Sequence, residues 1–344
     1  MWPMPSDRPT MEDVALRAGV SRALVSIVFR NVPGAGEQTR ARVLAAAAEL
    51  GYQPDRRASR LGRSRTRMVG VVFAFEGDFH AEVIDGIYAA AEEHGYEVVL
   101  SAATARRGER VAAQAVLAER CEGIILIGPQ LRTAQIAELA ERVPTVVLLR
   151  QLRLLSVDVV RTDEHVGMSL LIDHFVGLGH KRILHLDGGR AAGAAQRRTA
   201  YTTAMRRHGL DPDTVSGGLD EGAGATGADR ILARPESELP TAIAAFNDRS
   251  ALGVLSRFQA SGLAVPDEMS LSGYDDIRAA GYSHIRLTTV RQDARELGRQ
   301  AMQRVRGRLD DRADPGPTCL VTPALVVRQT TAPPPHPRPT TIAK

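Results

Sequence analysis

Apolar and small residues recur at helical spacing in residues 11–29, in two short stretches separated by Gly19. Glycine can take the positive φ that ends a helix, while Thr10 with Asp13, and then Ser21, can cap the two helices. The pattern predicts a helix-turn-helix, and a helical hairpin with no DNA role is the alternative. The predicted core positions are Val14, Ala15, Ala18, Val20, Val25 and Val28.

The second of these helices carries its polar residues near its start. A recognition helix meets the major groove with its N-terminal residues, so Arg22 and Ala23 are candidates for reading base edges. Ser21 and Ser26 are suited to phosphate oxygens, which fix the position of the protein on DNA rather than the sequence that it reads.

The next stretch predicts a loop at residues 31–36 and a third helix at residues 37–50, ended by Gly51. The apolar face of that helix is expected to hold Val43, Leu44, Ala47 and Leu50. Residues 52–67 then contain six arginines and few apolar residues. They are either a solvated basic linker or a hinge helix that folds on DNA and inserts Leu61 into the minor groove.

From residue 68 onward, short apolar strands alternate with amphipathic helices, which indicates parallel sheets covered on both faces. The run is long for one such sheet, so the predicted fold is an all-α headpiece plus an α/β body of two doubly wound parallel-sheet subdomains. We expect a headpiece at 1–51, a hinge helix or linker at 52–67, a body at 68–328 and a disordered, proline-rich tail at 329–344. Within the body, 68–162 with 291–328 form the N-subdomain, and 163–290 form the C-subdomain.

The positive charge of the chain is concentrated at its start. The formal net charge is +4, yet residues 1–67 hold 12 arginines, no lysine and 6 acidic residues, which leaves a slightly acidic remainder. A basic segment on an acidic body predicts that contact with nucleic acid is confined to the first fifth of the chain.

Other classes of protein find little support in the sequence. Cys121 and Cys319 give neither a disulfide framework nor a metal site, and no signal segment or membrane-length apolar run is present, so we expect a cytoplasmic protein without a membrane partner. The glycines of residues 222–227 have the spacing of a phosphate loop but lack its lysine. With no nucleophile-base pair and no metal-ligand spacing of histidines, we predict no catalytic residues, no metal and no cofactor.

A series of short motifs resembles the LacI/GalR family of bacterial transcriptional repressors over about residues 10–328. The motifs are Asp13-Val-Ala, Ala18-Gly-Val-Ser, Thr39-Arg, Leu50-Gly-Tyr-Gln-Pro-Asp, Gly177-Leu-Gly-His-Lys-Arg-Ile, Phe246-Asn-Asp, Ala251-Leu-Gly, Ser272-Gly-Tyr-Asp-Asp and Leu287-Thr-Thr-Val-Arg-Gln-Asp. The resemblance implies a homodimer on a pseudo-palindromic double-stranded operator, with paired hinge helices in its central minor groove.

The resemblance also implies a periplasmic-binding-protein-like body that holds a small effector, a sugar or sugar derivative, between its subdomains. The DNA contacts that we expect are Ser21, Arg22, Ala23, Ser26, Asn31, Thr39, Arg40, Arg56, Ala58 and Leu61. The effector contacts that we expect are Phe79, Arg150, Arg197, Asn247, Asp275 and Gln292. The sequence leaves open whether the effector induces or co-represses. A sugar-binding protein of the same body fold without a DNA role is the alternative function.

Several positions depart from the family pattern. Ile27 stands where many members have an arginine that contacts DNA, and Leu149 stands where many sugar-responsive members have an aspartate. Without that acid, Arg150 either favours an acidic or phosphorylated ligand or pairs with a neighbouring carboxylate. Ala294 replaces an aromatic residue found in some members. The C-terminus has no leucine heptad, which favours a dimer over a tetramer.

Overall fold

A computed structural model describes residues 9–30, 32–53, 65–75, 77–311 and 313–335. The chain divides into two compact units, Met1–Thr66 and Arg67–Lys344. The predicted hinge helix, with Arg56, Ala58 and Leu61, lies outside the described residues, as does Asn31. These predictions stay predictions.

The first unit is the predicted three-helix headpiece, with α1 at Met11–Ala18, α2 at Arg22–Phe29 and α3 at Glu37–Leu50. Its buried core consists of Val14, Ala15, Ala18, Val25, Val28, Val43, Ala46 and Ala47, while Val20 is partly buried against it. The placement of Leu44 in this core was wrong, because its side chain is 49% exposed. The small Ala46 faces the core instead, which lets α3 approach α1 and α2 closely.

The turn between α1 and α2 follows the capping chemistry of the sequence. Thr10 and Asp13 form a reciprocal capping box at the start of α1, with the Thr10 backbone N donating to the Asp13 carboxylate at 2.7 Å. Gly19 ends α1 with φ +62°. The Ser21 hydroxyl then accepts from the Leu24 backbone N at 3.2 Å and caps α2. These contacts satisfy helix-end amides that would otherwise be left to water.

The N-subdomain is a six-stranded parallel sheet with helices on both faces. In chain order it contains β1 Met68–Ala74, α4 Asp78–Glu93, β2 Glu97–Ala103, α5 Glu109–Ala118, β3 Gly123–Ile127, α6 Thr133–Ala140, β4 Thr145–Leu148 and β5 Asp158–Thr162. Two later elements complete it, α11 Ala294–Asp310 and β11 Cys319–Val321. The spatial order of strands is β11-β5-β4-β3-β1-β2, so the late helix and strand rejoin the first subdomain as predicted.

The C-subdomain repeats this architecture. Its elements are α7 Glu164–Gly177, β6 Ile183–Asp187, α8 Ala194–Arg207, β7 Asp213–Ser216, α9 Glu221–Leu232, β8 Ala242–Ala245, α10 Asp248–Ser261, β9 Ser270–Asp275 and β10 Thr288–Arg291. A last strand, β12 Ala324–Val326, completes the sheet in the order β12-β10-β9-β8-β6-β7. The short edge strand β7 was not predicted, because its residues are mostly polar and half-exposed.

The C-terminal part of the chain corrects two predictions. Residues 291–328 were expected to lie in the N-subdomain, but their last two strands, β11 and β12, lie in different sheets. The interruption falls at Thr322 and Pro323, and proline has no N–H to continue a sheet ladder. Consequently residues 324–328 leave the N-subdomain, and β12 pairs with β10 as an antiparallel strand in an otherwise parallel sheet.

The predicted disordered tail is partly ordered. Residues 329–335 follow β12 along the C-subdomain, where Thr330 is only 4% exposed. The Thr330 hydroxyl donates to the Leu271 carbonyl at 2.7 Å, and the Leu271 backbone N donates to the Thr330 carbonyl at 2.8 Å. Disorder was therefore the wrong expectation for this segment, since its backbone groups are paired. Residues 336–344 lie outside the described part of the chain.

Candidate DNA-reading surface and ligand cleft

The start of α2 is a polar surface of the headpiece. Ser21, Arg22 and Ala23 are exposed, and Ser26 is half-buried one turn later. Ile27 is also half-buried, and its side chain lies 3.6 Å from the position that a Cβ on Gly34 would occupy. The first turn of α2 therefore offers one long cationic side chain beside a small apolar one, as the sequence predicted.

Two arginines of α3 brace the other two helices. The Arg42 guanidinium donates to the Ala18 carbonyl at 2.9 Å, at the end of α1, and Arg40 donates to the Val28 carbonyl at 3.2 Å, at the end of α2. Cations at helix C-termini satisfy orphan carbonyls and complement the helix dipole. Arg40 was predicted only as a DNA contact, with the half-buried Thr39. Its contact with Val28 adds an internal role.

In the second unit, a cleft lies between the two subdomains at the carboxyl ends of their parallel strands, where such folds bind ligands. Its cavity volume is about 60 Å³, well below the roughly 300–1,000 Å³ common for small-molecule pockets, so the cleft is nearly closed in this structure. Five predicted effector contacts line it, namely Phe79, Arg197, Asn247, Asp275 and Gln292. Phe79 comes from α4, and the others come from the C-subdomain and the crossing after β10.

Arg197 is the central polar group of the cleft. Its Nε donates to Glu164 at 3.0 Å, its Nη1 donates to the Phe246 carbonyl at 2.7 Å, and its Nη2 lies 3.7 Å from the Asp275 carboxylate. The guanidinium carbon also lies 3.8 Å from the ring centre of Tyr274. Burial lowers the pKa of Arg197, but the charges of Glu164 and Asp275 outweigh it and raise the pKa above its ordinary value. The group is a fixed cation.

Gln292 connects this centre to the N-subdomain. Its Nε2 donates to the Asp275 carboxylate at 2.6 Å, and its Oε1 accepts from the Thr162 hydroxyl. Asp275 has φ +114°, a left-handed conformation that is costly for a residue with a Cβ. The cleft therefore contains a strained acid whose side chain is held by the Gln292 amide.

Asn247 has a structural role as well as a cleft-facing position. It caps α10 by accepting from the Ser250 backbone N at 2.8 Å, and its Nδ2 donates to the Leu219 carbonyl at 3.0 Å. The neighbouring Asp248 is fully buried and accepts from the Thr289 hydroxyl at 2.6 Å. Burial, with a further effect of the Asp275 charge, raises the pKa of Asp248 well above its ordinary range.

Arg150 is not among the residues that line the cleft in this structure, so its contact with an effector stays a prediction. Its Nη1 donates to the Pro129 and Leu131 carbonyls at 3.0 and 2.6 Å. These described partners are backbone carbonyls rather than a carboxylate, and the preference of Arg150 for an acidic or phosphorylated ligand stays a prediction. Leu149, with φ +66°, lines the cleft.

Comparisons with known proteins agree with both units. A family model described as bacterial regulatory proteins of the lacI family matches residues 10–55, and one described as a periplasmic binding protein-like domain matches residues 172–331. The HTH-type transcriptional repressor PurR of Vibrio campbellii is 31% identical over 330 residues, covering 93% of this chain and 98% of the relative. The chain belongs to the LacI family. It is a DNA-binding transcriptional regulator, and its relatives are regulators rather than enzymes.

Solved structures of LacI-family proteins resemble nearly the whole chain. The lac repressor dimer bound to operator and the anti-inducer ONPF has a TM-score of 0.81 and 28% identity, covering 94% of this chain and 99% of that one. The complex of the regulator CelR with cellobiose has a TM-score of 0.70 and 26% identity, covering 94% of this chain and 100% of that one. The two sheets and the headpiece are therefore the LacI-family architecture.

Sequence reasoning missed part of the lining of this LacI-family cleft. Glu164 is the main omission, since it is 4% exposed, carries a charge and bonds Arg197. It follows the Asp163 cap directly after β5, so its place at a strand end was a signal that could have found it. The other lining residues that were not predicted are His80, Leu149, Ala191, Ala192, Leu219 and Phe246.

The described residues include no group of three or more side chains suited to hold a metal ion. No helix in the described ranges is long and apolar enough to span a bilayer.

Proposed function

We propose that this protein is a homodimeric repressor whose operator affinity is controlled by an uncharged, polyhydroxylated ligand, a sugar or sugar derivative, bound in the cleft. The observation that carries the proposal is the convergence of Arg197, Asn247, Asp275 and Gln292 on one cleft with apolar walls. The DNA-binding part of the proposal is supported by the predicted DNA contacts of α2, because they lie on the surface of the headpiece.

The polar groups of the cleft suit hydroxyl groups. A carboxylate such as Asp275 accepts hydrogen bonds, and the amides of Asn247 and Gln292 both donate and accept, as each sugar hydroxyl does. Phe79 and Phe246 supply the flat apolar surfaces against which the C–H faces of a sugar ring can pack. The CelR relative was solved with cellobiose, which supports the same ligand class.

The charges of the cleft disfavour an anionic ligand. Arg197 is its fixed cation, and Glu164 and Asp275 already lie at 3.0 and 3.7 Å from the guanidinium. A phosphate in this cleft would face these two carboxylates, at a cost in a partly dehydrated site. The Arg150 guanidinium, which could have offset that cost, is bonded to the Pro129 and Leu131 carbonyls.

Control of DNA binding follows from a shift between two states of the body. A ligand that binds a closed cleft more tightly than an open one moves the population towards closure. By linkage, the factor by which the ligand changes operator affinity equals the factor by which the operator changes ligand affinity. The sign of the effect, inducer or co-repressor, is read from the same experiment.

The test is a footprint on genomic DNA fragments, followed by fluorescence polarisation with the protected sequence. Operator affinity should fall steeply with salt, with a log-log slope of about −0.9 per phosphate contact. Arg22→Ala should lose discrimination between operator and scrambled DNA. An operator with two half-sites should bind two chains. D-glucose, D-galactose, D-ribose and cellobiose are then added, with D-glucose 6-phosphate as the anionic control.

The proposal predicts that at least one neutral sugar changes operator affinity and that the phosphate ester has a weaker effect than glucose. A response to the phosphate ester alone would contradict the ligand class. Sugar binding without salt-dependent operator binding would instead support the alternative, a sugar-binding protein with no DNA role.

A further inference from the structure

Three side chains form a hydrogen-bonded relay from one subdomain to the other across the floor of the cleft. Thr162 is the last residue of β5 in the N-subdomain and is 1% exposed. Gln292 follows β10, in the second crossing between subdomains, and is 4% exposed. Asp275 is the last residue of β9 in the C-subdomain. The Thr162 hydroxyl donates to Gln292, and Gln292 donates to Asp275.

We propose that Thr162 is a positioning residue for ligand binding, which fixes the amide of Gln292 so that its NH₂ group faces Asp275 and the cleft. This inference rests on the proposed function of the cleft as the ligand site. Thr162 is absent from the cleft lining, so it acts through Gln292 rather than by touching the ligand.

The chemistry of the three groups allows one orientation. A carboxylate can only accept, so Asp275 requires the NH₂ end of the amide, and the carbonyl end of Gln292 must then face Thr162. A hydroxyl can donate to that carbonyl, whereas an apolar side chain would leave it unpaired in a buried position. The flipped amide would set its carbonyl oxygen against the Asp275 carboxylate, which is repulsive. Asp275 therefore selects the amide orientation, and the Thr162 hydroxyl stabilises it by pairing the Gln292 carbonyl that this orientation leaves buried.

The strained backbone at Asp275 makes this orientation important. Its φ of +114° leaves the carboxylate dependent on its partners for its direction, and Gln292 provides the contact at 2.6 Å while Arg197 lies at 3.7 Å. Loss of the Thr162 hydroxyl leaves the Gln292 carbonyl unpaired in a buried position, which favours side-chain conformations that move the amide away from Asp275, and Asp275 then loses its closest described donor for part of the time. Both ligand-binding side chains become less pre-organised, so ligand affinity falls.

The matched variants are Thr162→Val, which keeps the shape and removes the hydroxyl, and Thr162→Ser, which keeps the hydroxyl and removes a methyl group. Each is made in the full-length chain, alone and together with Gln292→Met. The first readout needs no ligand: hydrogen–deuterium exchange of the backbone amides at 290–293, followed by mass spectrometry. We expect exchange there to be roughly tenfold faster in Thr162→Val and within about twofold of the parent in Thr162→Ser.

The second readout is calorimetric affinity for whichever of cellobiose, D-glucose, D-galactose and D-ribose gives the largest operator response. Thr162→Val should weaken it roughly tenfold, Thr162→Ser should restore it, and Thr162→Val should add nothing in the Gln292→Met background. Equal defects in the Val and Ser variants would assign Thr162 to packing and overturn the proposal. Normal exchange in Thr162→Val would overturn it as well.

The two arms separate this inference from the proposed function. If no sugar in the panel binds the parent protein, the proposed ligand class fails, and the exchange arm alone decides the relay. If sugars bind normally to Thr162→Val although exchange at 290–293 is faster, the positioning role is refuted while the ligand class stands.

Discussion

Replacing Arg197 by methionine tests the centre of the cleft, and the structure sets the size of the effect. The substitution removes the partner of Glu164, which is 4% exposed and accepts from Arg197 at 3.0 Å. Breaking a buried ion pair from one side leaves an uncompensated charge and typically costs about 3–5 kcal/mol. Methionine fills much of the volume between the rings of Phe246 and Tyr274, so the charge rather than a cavity should dominate.

The control is the double variant Arg197→Met with Glu164→Gln, in which no unpaired carboxylate remains at position 164. We expect it to recover at least about 2 kcal/mol of the loss, because a neutral amide is far cheaper to bury than an ion. The assay is urea unfolding followed by circular dichroism at pH 7.5 and one fixed protein concentration. Equal free energies of unfolding for the single and double variants would refute the buried-charge argument.

The same pair of variants separates stability from binding. Neither should respond to a sugar in the operator assay, because both lack the guanidinium that approaches Asp275 at 3.7 Å. Arg197→Met alone cannot separate lower stability from lost ligand binding, since a destabilised protein can lose its response to a sugar although its ligand site is intact. A stable double variant that still responds would remove Arg197 from the site.

Three further predictions concern other parts of the molecule. Burial lowers the pKa of His185 to about 4, so the stability that the neutral imidazole contributes to the folded protein is complete above about pH 6.5 and is lost as the pH falls towards 4. In urea unfolding, the free energy of unfolding should therefore fall by about 2 kcal/mol less between pH 7.5 and pH 5 in His185→Gln than in the parent protein. Gly167→Ala would place a Cβ 2.2 Å from the Tyr274 hydroxyl, so we expect a loss of about 1–3 kcal/mol, and an unchanged melting temperature would contradict that contact. Ser21→Ala should lower the stability of the headpiece by about 1 kcal/mol, because the Leu24 backbone N loses the hydroxyl that caps α2. Hydrogen exchange of the Leu24 amide in the full-length chain measures this loss, and Ser21→Asp should keep the cap.

The parts that the sequence predicted well depend on local chemistry or on strand ends. The capping box at Thr10 and the left-handed Gly19 follow from which residues stand at helix boundaries, and these contacts span only a few positions. Asn247 and Asp275 were predicted for the cleft from the resemblance to the LacI/GalR family, and their positions at the carboxyl ends of strands supported that prediction. Carboxyl ends of parallel strands meet at one edge of a sheet, so chain position alone places such residues together.

The parts that it missed depend on contacts between distant segments. The Arg150 side chain bonds the Pro129 and Leu131 carbonyls, and no periodicity in residues 144–150 reveals that the loop after β3 lies within reach. Leu44 has the helical spacing of a core residue, yet the smaller Ala46 faces the headpiece core, because the crossing of three helices decides which stripe is covered. Spacing predicts that a helix has an apolar face and does not fix its rotation.

The chain crosses between the two subdomains three times, and these crossings connect the cleft to the relative position of the subdomains. The first leads from Thr162 into α7 and Glu164, the second contains Gln292, and the third contains Pro323, whose Cγ lies 3.2 Å from the position of a Cβ on Gly167. The first two crossings thus carry a cleft residue, and the third packs against α7, the helix that begins with Glu164. A ligand that forms hydrogen bonds with Asp275 or Gln292 would alter the relay from Thr162 through Gln292 to Asp275, which joins the two subdomains. Under the proposed function, its contacts would differ between open and closed forms, which is the condition for shifting the population between them.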